Sequence, residues 1–188
     1  IVSAGNDNTI KIWNAESRKL EKTLRGHAGW IRACVFAPDG ASLVSGSHDR
    51  RLMIWNFRDY AEERALGNRV LQGHSDAVLH AEFSPDDKRI VTAGRDHTAR
   101  VWNVADLQSQ KEFAEGHSFL VSQAAFVPTP PALAAAYPKG RIATVGIDNT
   151  ARIWDAARGT EIRRQERPME PAGRAGAMAV SRDGAVMF

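Results

Sequence analysis

Three sets of side chains in this sequence have the residue types of a hydrolase triad. They are His27, Ser45 and Asp49; His74, Thr92 and Asp96; and His117, Thr144 and Asp148. In a working triad the Asp orients the His, and the His takes the hydroxyl proton as the oxygen attacks. Two features oppose that chemistry here. An enzyme needs one nucleophile at one cleft, whereas these sets recur along the chain and exchange Ser for Thr. A buried His must also satisfy both ring nitrogens, and an Asp and a hydroxyl do that in a purely structural role. Removing His74 would leave Asp96 underpaired, at a cost of about 1–3 kcal/mol.

Other chemistry has less support. His48, His80 and His97 lack the close spacing of a metal site, and Cys34 is the only cysteine. Gly-rich phosphate loops of either common type are missing, so no metal, nucleotide or other cofactor is expected. One cysteine allows no internal disulfide, which fits a reducing, cytoplasmic setting.

The elements that hold these residues repeat. Four segments align: SAGNDNTIKIWN from Ser3, SGSHDRRLMIWN from Ser45, TAGRDHTARVWN from Thr92 and TVGIDNTARIWD from Thr144. In each, an Asp follows the Ser or Thr by four positions and a Trp follows the Asp by six. Trp13, Trp55, Trp102 and Trp154 are thus spaced by 42, 47 and 52 residues. Gly26-His27, Gly73-His74 and Gly116-His117 recur in phase, each ahead of an apolar run. Turns follow as FAPDG from Phe36, FSPDD from Phe83 and FVP from Phe126. Between these marks lie short alternating stretches with the pattern of strands. Ile10, Ile12, Ala99, Val101, Ala151 and Ile153 alternate with Lys or Arg, which predicts a strand with one buried and one wetter face. Only Asp59 to Leu66 could form a short helix.

Gly-His, a turn, (S/T)-x-x-x-D and a closing Trp-Asp or Trp-Asn pair resemble the WD40 repeat family, over nearly the whole chain. The pair is Trp-Asp only at Trp154-Asp155; Trp13, Trp55 and Trp102 precede Asn. The resemblance implies an all-β fold, a propeller of four-stranded antiparallel blades. It also implies that the His, the Asp and the hydroxyl of each set join Trp55, Trp102 or Trp154 in a hydrogen-bonded tetrad that locks a blade. Its blade offset makes residues 1–24 the end of an opening blade, followed by complete blades at 28–72, 75–115 and 118–165. A degenerate partial blade occupies 175–188, where VSRDG from Val180 matches the earlier turns but the Gly-His near Arg167-Pro168 is missing. About four blades of seven or more are therefore expected, with the remaining blades of the same chain needed for closure. The first residue is not Met and already lies in a strand-like run, so the sequence reads as an excerpt. Ile1-Val2 is too short an apolar opening for a signal peptide. Two insertions lengthen the steps: Phe57 to Asn68, and VPTPPALAAAYPKG from Val127, whose prolines suggest an extended loop.

Partners of this family often dock where loops precede the first strand of each blade. The matching positions here are Trp30, Arg32 and His48; Ala77, Leu79 and Arg95; and Leu120, Ser122 and Ile147, with Asn6 in the opening unit. Trp30 is the only Trp outside the motif. It is either a partner anchor, as Trp and Arg are at interface hot spots, or a residue packed against an adjacent blade. Apolar residues mixed with Arg suit a protein or peptide carrying acidic groups.

The 188 residues are 43% hydrophobic and carry a net charge of +3, an ordinary soluble composition. Arg158, Arg163, Arg164, Arg167 and Arg174 are interleaved with Glu161, Glu166 and Glu170, too thin an excess for tracking phosphates, so no nucleic acid is expected. No apolar run reaches membrane-spanning length. The expected role is a non-catalytic scaffold for protein–protein interaction. The rival is a regulatory or substrate-recruiting propeller domain of a larger enzyme, such as a bacterial serine/threonine protein kinase.

Overall fold

A computed structural model describes residues 1–56, 69–106, 109–113, 116–166, 177–181 and 185–187. The insertion Phe57–Asn68 with its suggested helix lies outside the described residues. So do the Arg167-Pro168 region and most of the last turn, VSRDG.

The repeats fold into successive antiparallel sheets, each a meander of neighbouring strands. The first holds β1 (Val2–Ala4), β2 (Thr9–Trp13) and β3 (Leu20–Arg25). The second holds β4 (Ile31–Phe36), β5 (Ser42–Ser47), β6 (Leu52–Asn56) and β7 (Arg69–Leu71). The third holds β8 (Val78–Phe83), β9 (Arg89–Gly94), β10 (Ala99–Asn103) and β11 (Ser109–Phe113). The fourth holds β12 (Val121–Val127), β13 (Arg141–Gly146), β14 (Thr150–Asp155) and β15 (Glu161–Glu166). A short pair, β16 (Ala179–Val180) and β17 (Val186–Met187), follows. The sheets do not close on themselves, so the architecture is an incomplete, all-β propeller.

Alternation along each strand decides which neighbour a side chain meets. In β6, Leu52 and Ile54 turn to the third sheet, where they join Val78, Ala81, Phe83 and Ile90. Met53 and Trp55 turn back to the first sheet, against Ile10, Ile12 and Leu24. The next two interfaces repeat the scheme: Trp102 packs on the second sheet and Trp154 on the third. Trp55, Trp102 and Trp154 are therefore each a wedge driven into the preceding sheet.

The expected wetter face holds at Lys11 and Arg100, half-buried between buried Ile10, Ile12, Ala99 and Val101, but fails at Arg152, which is only 5% exposed. Its guanidinium pairs with Glu161, donates to the Gly116 carbonyl and reaches the Thr150 hydroxyl, so its donors are met inside the interface.

The insertion after Val127 also differs from the extended loop expected. Pro131 opens a 3-10 turn, Pro131–Leu133, because its fixed φ suits the first position of a helix. Hydrogen bonds from Leu133, Ala134, Ala136 and Tyr137 N–H groups back to Pro130, Pro131 and Leu133 then fold the segment on itself. Among the described residues, no helix is long and apolar enough to cross a membrane.

Candidate functional site

The first strand of each complete sheet starts at one end of the propeller, and the turn between its second and third strands returns there. That end gathers each triad-like set. His27 Nδ1 lies 2.8 Å from Asp49 Oδ2, and its Nε2 lies 2.7 Å from the Ser45 hydroxyl. His74 stands 2.8 Å from Asp96 and 2.7 Å from Thr92. His117 stands 3.0 Å from Asp148 and 2.8 Å from Thr144. The indole N–H of Trp55, Trp102 and Trp154 donates to the same hydroxyl at 2.8, 2.9 and 2.8 Å. Each Asp also accepts the N–H of the residue after the His, namely Ala28, Ser75 or Ser118.

The hydroxyl decides what this geometry can do. Ser45, Thr92 and Thr144 are each 0% exposed. Donating its proton to the imidazole while accepting the indole N–H leaves each oxygen closed in on both sides. An attacking oxygen needs a substrate carbon within reach, and these three buried hydroxyls face only the imidazole, the indole and the sheet around them. In the opening unit Trp13 donates to Ser3 at 2.8 Å, while Asp7 bonds Thr9 and Lys11.

Glycines make room for the sets. A Cβ on Gly94 would stand 2.5 Å from both His74 Nδ1 and Asp96 Oδ1, and one on Gly146 would stand 2.6 Å from His117 Nδ1. Both glycines stand two residues before the Asp of their set, a signal legible in the sequence, whereas Asp49 has Ser47 at that place.

Acid attacks this end in two stages. Burial lowers the His117 imidazole below the ordinary value of 6.5, with Asp148 opposing, and burial lowers His80 as well. Near pH 6.5 the unfolded chain then binds protons that the folded chain refuses, so stability falls as the pH drops. Burial raises the Glu82 carboxyl above 4.5, so the folded chain takes that proton first and offsets part of the loss. Burial also works to raise Asp49, Asp96 and Asp148, but their His, hydroxyl and backbone donors win, holding Asp96 at about 2. Their stabilisation is complete above about pH 4 and is lost toward pH 2. Urea midpoints taken from neutral pH downward are expected to decline first near pH 6 and again, more steeply, below about pH 4. A midpoint that stays flat from about pH 7 to pH 5 would contradict the burial of His117.

The positions matched to partner docking lie at the same end. A bulge in β4, β8 and β12 leaves Arg32, Leu79 and Ser122 out of register with the second strand, between Ile31/Ala33, Val78/His80 and Val121/Gln123. Such bulges re-aim a side chain. The N–H groups of His48, Arg95 and Ile147 bond the carbonyls of Trp30, Ala77 and Leu120 at 2.8, 2.8 and 3.1 Å, which ties the positions together in pairs. Arg32, Arg95 and Asn6 are exposed; His48, Leu79, Leu120, Ser122 and Ile147 are half-buried. Ala77 is a correction: at 1% exposure it is part of the core and offers nothing to a partner.

Trp30, 46% exposed, meets His48 in a tilted contact with ring centroids 5.4 Å apart, and the Arg32 guanidinium lies 5.3 Å from its ring. Arg32 Nε also donates to His48 Nε2 at 3.2 Å. A second exposed aromatic was missed. Phe119, 57% exposed, meets the His97 ring at 6.4 Å. It stands two residues after its motif His, not three, so position matching steps over it. Among the described residues, no three His, Cys, Asp or Glu gather in a way that could hold a metal.

The family model WD40, described as "WD domain, G-beta repeat", matches residues 18–56, 68–103 and 108–155. The chain belongs to the WD40 family. Each of the three WD40 matches contains one complete His–hydroxyl–Asp–Trp tetrad, from His27 to Trp55, from His74 to Trp102 and from His117 to Trp154. The small ribosomal subunit protein RACK1 of Drosophila melanogaster is 37% identical over 59 residues, 31% of this chain and 19% of RACK1. Lissencephaly-1 homolog 1 of Paramecium tetraurelia is 34% identical over 68 residues, 36% of this chain and 17% of its own length. The human WD repeat and SOCS box-containing protein 1 is 34% identical over 61 residues, 32% of this chain and 14% of its own length. Each of these WD40 matches spans less than a fifth of the relative.

Proposed function

We propose that the chain serves as a non-catalytic scaffold, holding protein or peptide partners at the end of its sheets that carries Trp30, Arg32 and His48. The observation behind this reading is the Trp30 cluster. A large aromatic ring is held half out in water by a tilted imidazole and a guanidinium, already in a fixed arrangement before any partner arrives. Preorganised Trp and Arg side chains lose little freedom on binding, which is why they anchor interfaces. Packing against an adjacent sheet would have hidden the ring.

Charge points to the partner's chemistry. Arg32, Arg50 and Arg95 are exposed at this end, and among the described residues only Arg95 of the three has an acidic ion-pair partner, Asp76 at 4.0 Å. A partner with acidic side chains around an apolar one complements that surface. One relative is by name a component of the small ribosomal subunit, which supports work within an assembly. A single cysteine, the half-buried Cys34, supports a reducing, cytoplasmic setting.

Capture of co-purifying proteins by the intact protein, quantified by mass spectrometry, tests this. Trp30→Ala with Arg32→Ala is expected to weaken capture about tenfold or more. Both side chains are exposed, so folding is expected to survive, and unchanged capture would sink the proposal.

A further inference from the structure

At the opposite end of the sheets the folded insertion makes a second site. Strand β12 runs away from the His–Asp turns, and the 128–140 segment crosses beneath the third sheet before β13 returns. The Arg89 guanidinium holds it there by donating to the Lys139 carbonyl while lying 5.2 Å from the Phe126 ring. Gly140 is fixed from the other side by the Ala156 N–H at 3.1 Å. Between the insertion and the turns of the third sheet lies a cleft of about 670 Å³.

Two kinds of unmet chemistry line it. Val104, Ala105 and Pro138 give an apolar floor. Lys88 and Lys139 are exposed, one from each wall, and neither ammonium is in an ion pair among the described residues. Asp86 and Asp87 complete the lining, with Asp87 Oδ1 closed off from the surface.

We infer that this cleft binds an extended segment of a partner protein in which an apolar residue is flanked by Asp or Glu. The apolar side chain rests on Val104 and Ala105, and its flanking carboxylates meet Lys88 and Lys139. A nucleic acid carries a charge at every link and cannot keep all of them clear of Asp86 and Asp87, whereas two isolated carboxylates can be placed at the lysines.

The experiment is selection of short random peptides, displayed on phage, against the intact protein, with single-stranded oligothymidine as a second probe. Enrichment of apolar residues flanked by Asp or Glu is expected. Affinity of the selected peptides is expected to fall about tenfold or more in Lys88→Glu with Lys139→Glu, and again in Ala105→Arg, which fills the floor. These are surface changes, and an unaltered urea midpoint shows that the fold is kept. Trp30→Ala, at the far end, is expected to leave the peptides bound, so failure here and failure of the scaffold face are separate results. No enrichment, peptides without acidic residues, equal binding by the variants, or a preference for oligothymidine would each overturn the inference.

Discussion

Trp102→Ala is expected to lower the unfolding free energy by about 3–5 kcal/mol, seen as a lower urea midpoint with little change in slope. Trp102 is 0% exposed and fills the interface between the second and third sheets, against the cluster of Ala33, Ile54, Leu71, Val78 and Phe83. Its removal leaves a cavity that a twisted sheet cannot close by local relaxation, because the strands on both sides are held in register by ladders. It also takes away the indole N–H from the Thr92 hydroxyl. Trp102→Phe separates the two losses. It keeps most of the packing but not the donor, and is expected to cost about 1–2 kcal/mol. A loss below about 1 kcal/mol in the Ala variant would mean that the motif Trp does not join the sheets.

The tetrads could be read from the sequence because every member sits at a fixed step from the next. Ser45, Asp49 and Trp55 keep the same intervals as Thr92, Asp96 and Trp102, so a shared geometry follows from a shared turn and a strand of fixed length. The direction in which Trp102 points could not be read this way. Alternation assigns residues to two faces, but which face meets the earlier sheet is settled by twist and by contacts between repeats. Arg152 misled for a related reason. A Lys or Arg in an alternating strand normally marks a wet face, and here Glu161, Thr150 and the Gly116 carbonyl make burial tolerable.

At the partner face, the positions of Trp30, Arg32 and His48 could be inferred, but not their mutual contact. That depends on the β4 bulge and on the hydrogen bond from His48 N–H to the Trp30 carbonyl. Phe119 breaks the positional rule and needed coordinates. The insertion after Val127 shows that counting prolines is not enough, since Pro131 stands where a proline starts a turn and does not extend a loop.

Gly94→Ala is expected to be nearly as damaging as the loss of Trp102. Its new Cβ would fall 2.5 Å from His74 Nδ1 and from Asp96 Oδ1, closer than atoms can approach, so both rings of contact must shift. Crowding of this kind costs about 1–3 kcal/mol, and breaking the buried His74–Asp96 bond adds about as much again. His74→Ala alone removes the bond but not the glycine's room, and costs about 1–3 kcal/mol. Asp96 keeps donors from Ser75 and Thr98 in that variant, which limits the loss.

The Ser/Thr, His and Asp sets lock the sheets through buried hydrogen bonds. The most direct test is a double-mutant cycle of Gly94→Ala and His74→Ala, read as unfolding free energies in urea. Shortening His74 opens the space that the alanine at position 94 needs, so the double variant is expected to be more stable than the sum of the singles, by about 1–3 kcal/mol. Losses that simply add, or a His74→Ala protein as stable as the parent, would contradict the account.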